Sequence, residues 1–202
     1  MKRITLNMKR ICLPVLLALV FSMTGCSLKE RLVSDIELKE YYKTTAEVRT
    51  GLNACYNAIR AQLGGNGFWE ATECASDLMF LNQSMHYDAT LDISPTKPAI
   101  AATVWQYSYL GVMRTNGILA ALDRSVAEGN FSADEALPLR GEAVVLRAFF
   151  YYLLTSTFGD VPFYTEEVTH ENRAAIASLP RMSADDTRDR LISELKHYLF
   201  PE

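Results

Sequence analysis

The strongest hydrophobic pattern in the chain lies between residues 139 and 153. Apolar residues recur there at i, i+4, i+7, i+11 and i+14, namely Leu139, Ala143, Leu146, Phe150 and Leu153. This is the 3.6-residue period of a helix that buries one face. Most of the remaining circumference is also apolar, through Phe149, Tyr151, Tyr152 and Leu154. Because a helix that is apolar nearly all round lies inside a bundle, the pattern predicts a central helix surrounded by others.

Two charged residues and several helix breakers add detail to this central helix. Glu142 and Arg147 interrupt the apolar surface, so each needs a partner where it is buried. Gly159 suits the left-handed αL position just past a helix end, and Pro162 follows where a helix cannot continue. Pro138 is tolerated at the start of a helix but not in its interior. We therefore expect a break between a short turn at 133–136 and the long helix.

Capping residues mark the first and last helices. Thr44, with Glu47 three residues later, forms a capping box. The apolar face that follows it consists of Val48, Leu52, Cys55, Tyr56, Ile59 and Leu63. Glycines at 64, 65 and 67 are expected to end this helix. Ser183 is the expected N-cap of the last helix, whose apolar positions are Leu191, Ile192, Leu195 and Tyr198 or Leu199.

A further helix is predicted from about Pro98 to Asp123, after an irregular polar segment at 81–99. Proline is favoured at the first helical position. One face of this helix carries Trp105, Tyr109, Val112, Asn116 and Leu119. An asparagine on a buried face must find hydrogen-bond partners. Asn116 is therefore either a structural residue that ties the helix to a neighbouring loop, which we favour, or part of a functional site.

The first 26 residues have the composition of an export signal. Basic residues at 2, 3, 9 and 10 precede an apolar run at 11–21, and small residues lead into Cys26. This order is typical of a secretory signal peptide, and small residues followed directly by cysteine resemble a bacterial lipobox. We predict a lipoprotein signal peptide at 1–25, lipidation of Cys26, and a lipidated N-terminus and tether at 26–40. The alternative is an ordinary secretory signal in which Cys26 is incidental.

Composition and charge narrow the functional classes. The chain has 202 residues and is 49% hydrophobic, which is enough for one well-buried domain. Residues 1–25 hold four basic residues and no acidic one, so their removal changes the net charge from -4 to -8. An acidic mature chain without a basic cluster argues against nucleic acid as a partner.

Catalytic and metal-binding patterns are missing from the sequence. His86, His170 and His197 lie too far apart for a zinc-binding spacing. There is no Gly-x-Ser-x-Gly elbow and no phosphate-binding glycine loop. No pair of carboxylates stands out as a glycosidase requires. We therefore predict no metal, no cofactor and no enzymatic activity.

The mature chain keeps two further cysteines, Cys55 and Cys74. Two cysteines beyond the inner membrane can form a disulfide. Cys55 lies on the apolar face of its predicted helix, where it equally suits a small buried thiol. Both states remain open, and we favour free thiols.

Three groups of residues occur in an order that resembles one known family. The first is Glu142-Ala143, Leu146-Arg147-Ala148-Phe149 and Tyr151, closing on Phe158-Gly159-Asp160-Val161-Pro162. The second is Trp105, Tyr109, Val112 and Asn116, and the third is Pro180-Arg181 with Ser183. Together they resemble the structural signature of the SusD/RagB family. Its members are outer-membrane lipoproteins of Bacteroidetes that capture glycans or other nutrients for a partner transporter.

The resemblance implies both a fold and a domain organisation. The fold is all-α, a helical bundle of tetratricopeptide-like helix pairs with long irregular loops. Residues 41–202 correspond to the SusD-like N-terminal α-helical domain. Family members are considerably longer, so the resemblance implies that the C-terminal SusD/RagB region is missing, either because the chain is a fragment or because the gene is truncated.

The resemblance also implies a function and a place in the cell. The protein would bind glycans or other nutrients and deliver them to a SusC-like TonB-dependent transporter of the outer membrane. It would be lipid-anchored there and exposed at the surface. Two alternatives remain open, namely a periplasm-facing tetratricopeptide-like lipoprotein that acts as a protein scaffold, and a non-functional truncated gene product.

The candidate ligand contacts lie in the irregular segments. Capture of a glycan requires flat aromatic faces for sugar C–H groups, and amides or carboxylates for hydroxyls. Tyr87 and Asn82 are our first choice because both lie in an irregular polar segment, next to Gln83. Trp69 comes second, and its alternative role as a core residue is the one we favour.

Overall fold

The computed structural model describes residues 41–64, 76, 94, 96 and 101–199. These residues form five helices and one pair of short strands. In chain order they are α1 Thr45–Leu63, α2 Ala101–Ala127, α3 Ala133–Phe158, β1 Val161–Pro162, α4 Arg173–Ala177, β2 Arg181–Met182 and α5 Ala184–Leu199. The predicted all-α class is confirmed. Within the described ranges, every helix is too short or too polar to span a lipid bilayer.

Helix α3 is the central helix of this part of the chain, and it packs against α1, α2 and α5. The five residues of its predicted apolar stripe are all buried. They belong to one hydrophobic core with apolar residues of the three neighbouring helices, among them Leu52, Ile118, Leu122 and Leu191. The central position of this helix is therefore confirmed.

Both predicted capping boxes are present. The Thr44 hydroxyl accepts a hydrogen bond from the Glu47 backbone at 3.3 Å, and the Glu47 carboxylate accepts one from the Thr44 backbone at 3.0 Å. Ser132 and Glu135 make the same pair of bonds at 3.2 and 2.9 Å. The bonds from the Ser132 backbone and hydroxyl hold the pKa of the Glu135 carboxyl below its usual value. Each box satisfies backbone donors that a helix start leaves unpaired.

The expected break at Pro138 is wrong. Helix α3 runs without interruption from Ala133 to Phe158 and contains Pro138 in its second turn. Proline lacks the N–H that would bond to the carbonyl of Asp134. Because Asp134 is exposed, solvent can hydrate that carbonyl. The capping box at Ser132 fixes the first turn on the other side of the proline, so the helix continues.

Two residues assigned to apolar faces lie at the surface instead. Tyr56 is 47% exposed and Ile192 is 48% exposed, so both assignments were wrong. The buried side of α1 instead includes Gln62, whose Nε2 donates to the Ser108 hydroxyl of α2 at 3.1 Å. A pattern built from apolar residues alone misses a buried polar residue that finds its partner on another helix.

Gly159 turns the chain at the end of α3. Its φ of 69° is positive, as predicted, but its ψ of -117° lies outside the αL region, so that detail was wrong. Glycine adopts such conformations at little cost because it has no Cβ. The turn leads into β1, which pairs in antiparallel fashion with β2. Val161 lies opposite Met182, and Pro162 lies opposite Arg181.

A glycine also sets the distance between the two longest helices. A Cβ atom built on Gly111 of α2 would lie 2.2 Å from the ring of Phe150 on α3. Such a distance is well inside van der Waals contact. The close packing of α2 on α3 therefore depends on the missing side chain at this position.

Replacement of Leu146 by alanine tests the core. Leu146 is 4% exposed, so Leu146→Ala is expected to lower the free energy of unfolding by roughly 2–5 kcal/mol through lost burial and a cavity. Chemical denaturation measures the change. Val145→Ala is the control, because its neighbouring side chain is 44% exposed and a change within about 0.5 kcal/mol is expected. Equal losses for the two variants would place Leu146 at the surface.

Two glycines of α2 give a paired test of helix packing. Gly111→Ala is expected to destabilise the fold by about 1–3 kcal/mol, because the Phe150 ring must move. Gly117→Ala is expected to stabilise it by up to about 1 kcal/mol, because its Cβ meets nothing within 4 Å and alanine favours the helix. Thermal unfolding distinguishes the signs, and stabilisation by both variants would contradict the close packing.

Candidate functional site

Arg147 lies between α2 and α5 and is 3% exposed. Its Nη1 donates to Oδ1 of Asn116 on α2 at 2.7 Å, and its Nη2 forms an ion pair with Glu194 on α5. A guanidinium that is this deeply buried is tolerated only where charge and hydrogen bonds compensate it. The sequence indicated that Arg147 needs a partner, and the structure identifies two.

The Asn116 side chain extends this network to the backbone. It is 1% exposed, and its Nδ2 donates to the carbonyl oxygens of Tyr164 and Glu166, both at 3.3 Å. The segment that follows β1 is thereby held against α2. These are the contacts of a residue that ties a helix to a neighbouring loop. Every polar atom of the amide side chain is used within the fold.

An aromatic cluster joins α2 to the end of α3. The ring centroids of Trp105 and Tyr109 lie 4.8 Å apart, and Trp105 meets Phe158 edge to face at 5.0 Å. Tyr109 stacks on Tyr164 at 6.3 Å and contacts Tyr151 edge-on at 6.5 Å. Such geometries contribute beyond simple burial of area. The cluster therefore fixes how α2 and α3 converge at this end of the bundle.

The tyrosine hydroxyls of this cluster hold the chain after α3. The Tyr109 hydroxyl donates to the Pro162 carbonyl at 2.8 Å. The Tyr151 hydroxyl donates to the Tyr164 carbonyl and accepts from the Tyr164 N–H, both at 2.9 Å. Burial raises the pKa of Tyr109 and Tyr151 above the usual value and that of Tyr164 to about 12. All three rings therefore stay protonated at neutral pH, as hydrogen-bond donors must.

The turn after α3 is also bonded to the start of α5. Oδ1 of Asp160 accepts from the Ala184 N–H at 3.1 Å, and the Asp160 carbonyl accepts from the Arg181 guanidinium at 3.3 Å. A carboxylate at the start of a helix is favoured by unpaired N–H groups and by the helix dipole. The stretch from Gly159 to Pro162 thus connects the end of α3 to the beginning of α5.

Glu142 connects the central helix to α1. Its carboxylate accepts from Nη1 of Arg49 at 2.5 Å, and the Glu142 side chain is 23% exposed. An ion pair so open to solvent contributes little to stability. The described signature residues from Trp105 to Pro162 thus all make contacts within the fold, and their chemistry is that of a scaffold.

A groove beside α5 is the surface whose chemistry best suits a ligand within the described residues. It has a volume of about 520 Å³ and is lined by Phe163, Thr165, Arg190, Ser193, Glu194, His197 and Tyr198. Rings, hydroxyls and charges alternate along it, which suits a polar ligand with C–H faces. Sequence reasoning missed this groove. Its residues come from the chain after β1 and from the last helix, and only folding brings the two together.

A second hollow of about 310 Å³ shares three of these residues with the groove. Three carboxylates around it are each paired with an arginine, namely Asp123 with Arg140, Glu167 with Arg124, and Glu194 with Arg147. Paired carboxylates make poor metal ligands. Nowhere in the described ranges do three or more histidine, cysteine, aspartate or glutamate side chains gather in a way that could hold a metal ion.

The predicted lipidation site and ligand contacts lie elsewhere in the chain. Cys26, Trp69, Asn82, Gln83 and Tyr87 all fall outside the residues that the structure describes. The structure therefore brings none of them together with the groove. Their roles stay predictions.

Cys55 is a free thiol, and it is fully buried in the core. Burial raises the pKa of this thiol to about 11. A buried thiol that keeps its proton is unreactive. This is the state that we favoured for Cys55, whereas Cys74 lies outside the described residues.

Comparison with known proteins identifies the family. Residues 32–198 match a SusD-like family that is described as starch-binding and associating with the outer membrane. A SusD-like protein of Formosa agariphila is 26% identical over 196 residues, which cover 89% of this chain and 35% of that protein. The match thus includes most of the chain but only about a third of the relative.

Two solved structures share the fold. The surface glycan-binding protein A of Bacteroides uniformis aligns with a TM-score of 0.62 at 22% identity, over 77% of this chain and 34% of that one. A SusD-like protein of Bacteroides fragilis aligns with a TM-score of 0.53 at 21% identity, over 77% and 29%. The shared fold confirms the predicted bundle of tetratricopeptide-like helix pairs. Because the family match spans most of its residues, the chain belongs to the SusD-like family of starch-binding proteins that associate with the outer membrane.

Proposed function

We propose that this protein is a cell-surface lipoprotein that binds a glycan and delivers it to a SusC-like TonB-dependent transporter. The match of residues 32–198 to the SusD-like family carries this proposal. The chain spans about a third of the length of its relatives, so the activity of the whole protein is included in the proposal. The ligand is held without covalent change.

The packing of the signature residues supports a division of labour. Asn116 and Arg147 are buried in the network that joins α2, α3 and α5, and Tyr109 is hydrogen-bonded to the chain after α3. Side chains fixed in this way keep the bundle rigid. Specificity then falls to residues outside the signature. We assign the first ligand contacts to Tyr87 and Asn82, next to Gln83, and a second contact to Trp69.

The proposed attachment is through acyl chains on Cys26. Each buried methylene contributes about 0.8 kcal/mol, and two or more chains hold a protein stably in a bilayer. Residues 26–40 then serve as the tether, and the helical domain faces the medium. This arrangement places the ligand site where extracellular glycans and the mouth of an outer-membrane transporter are both accessible.

Binding of a starch fragment tests the ligand contacts. Calorimetry with maltoheptaose is expected to show binding that Trp69→Ala and Tyr87→Ala each weaken at least about tenfold, equivalent to ~1.4 kcal/mol, because an aromatic face for the sugar is lost. His197→Ala in the groove beside α5 is the control and leaves the affinity unchanged. Weakening by His197→Ala alone would move the ligand to the groove. No binding of maltoheptaose or of any other glycan in a panel would contradict glycan capture.

Lipidation is tested by labelling cells with a clickable fatty acid. Cys26→Ala is expected to abolish labelling, because the acylated atom is lost, and to release the protein from the membrane fraction. Cys12→Ala, which changes a cysteine inside the signal peptide, is the control and keeps the label. Continued labelling of Cys26→Ala would refute the lipidation site. Protease added to intact cells is expected to digest the labelled protein, and full protection would favour the periplasm-facing scaffold.

A further inference from the structure

Exposed apolar side chains are concentrated on one face of α3. Leu137, Val145 and Tyr152 are 45%, 44% and 58% exposed, and they are three of the six large hydrophobic residues exposed in the described part of the chain. At 3.6 residues per turn they lie within an arc of about 80°, which also contains Gly141 and Ala148. We call these five residues the outer stripe.

The outer stripe is uncharged and long. The charged residues of α3 between Leu137 and Tyr152 are Arg140, Glu142 and Arg147, and none of them falls within the arc. The stripe extends for about 22 Å along the helix axis. A continuous apolar surface of this kind marks a place where another molecule or segment binds.

Gly141 gives independent evidence that something packs on this face. Glycine in a helix interior is less stable than alanine, so it needs a reason in packing. For two other helical glycines the reason lies inside the chain, because a Cβ on Gly51 would lie 2.5 Å from the Tyr42 side chain and one on Gly111 2.2 Å from that of Phe150. A Cβ on Gly141 would meet nothing within 4 Å. Gly141 instead leaves a notch in the outer stripe.

The neighbouring faces of α3 are already occupied. Helix α5 covers one of them, where Arg147 pairs with Glu194, and α1 lies along another, where Arg49 pairs with Glu142. The outer stripe is the face that no described element covers. It offers no charge to a lipid headgroup or to a charged partner, so it favours an apolar protein segment.

We propose that the outer stripe is the docking surface for an apolar segment of a SusD-like polypeptide, supplied by the part that this chain does not match. The relatives contain about two thirds more sequence beyond the matched region, since the chain covers 35%, 34% and 29% of them. That remainder is long enough to bury the stripe. The inference depends on membership of the family and not on the binding of any glycan.

Photocrosslinking in the native host identifies the occupant. Val145 is replaced by p-benzoylphenylalanine, the cells are irradiated, and crosslinked peptides are identified by mass spectrometry. The expected product joins residue 145 to a SusD-like sequence that lies outside residues 1–202. A peptide from a second copy of residues 1–202, a peptide from a transporter, a lipid adduct, or no adduct at all would each overturn the proposal. The same replacement at Glu128, which is exposed in the turn after α2, is the control and gives no such peptide.

Gly141→Ala provides a second test, with Gly117→Ala as the matched control. Both glycines lie in helices where a Cβ meets no described neighbour. In membranes of the native host, Gly141→Ala is expected to lower the temperature at which the protein becomes protease-sensitive, because the new methyl group fills the notch. Gly117→Ala raises that temperature by about 2–4 °C. An equal rise for Gly141→Ala would show that nothing packs against the notch. Neither measurement requires a glycan, so a failure of glycan binding leaves this test intact.

Discussion

The buried guanidinium of Arg147 is the interaction on which the arrangement of the helices depends. It reaches α2 through Asn116 and α5 through Glu194, and Asn116 in turn holds the backbone at Tyr164 and Glu166. Removal of one partner from a buried ion pair leaves a charge that water cannot reach. The network therefore forms as a whole, and it makes the position of the last helix depend on the position of the first long pair.

Aromatic rings complete what the guanidinium begins. Tyr109, Tyr151 and Tyr164 present apolar faces to the core and polar tips to the backbone between α3 and β1. One type of side chain thus supplies both packing and hydrogen bonds at the same place. The signature of the family describes how this junction is built, which explains why it is recognisable in proteins that share only about a fifth of their residues.

Local chemistry made much of the fold predictable. The stripe from Leu139 to Leu153 and the two capping boxes depend on residues a few positions apart, so their spacing in the sequence is sufficient evidence. The errors arose where distant or solvent contacts decide the outcome. Pro138 continues a helix because an exposed carbonyl can be hydrated, and Gln62 is buried because Ser108 lies on another helix. The partner of Arg147 is 47 residues away, and no spacing rule finds Glu194. The ligand contacts fall in segments without a sustained period, where such rules have no purchase.

The short β1–β2 pair separates a variable segment from the constant framework. Arg181 lies opposite Pro162, and Glu167 is held by Arg124, so both ends of the intervening segment are fixed. Helix α4 within it buries none of its residues. Doubling the length of a loop whose ends already meet costs only about 0.6 kcal/mol. Evolution can lengthen or shorten residues 168–180 without moving the bundle, and an epitope or fluorescent reporter inserted there would leave the helices in place.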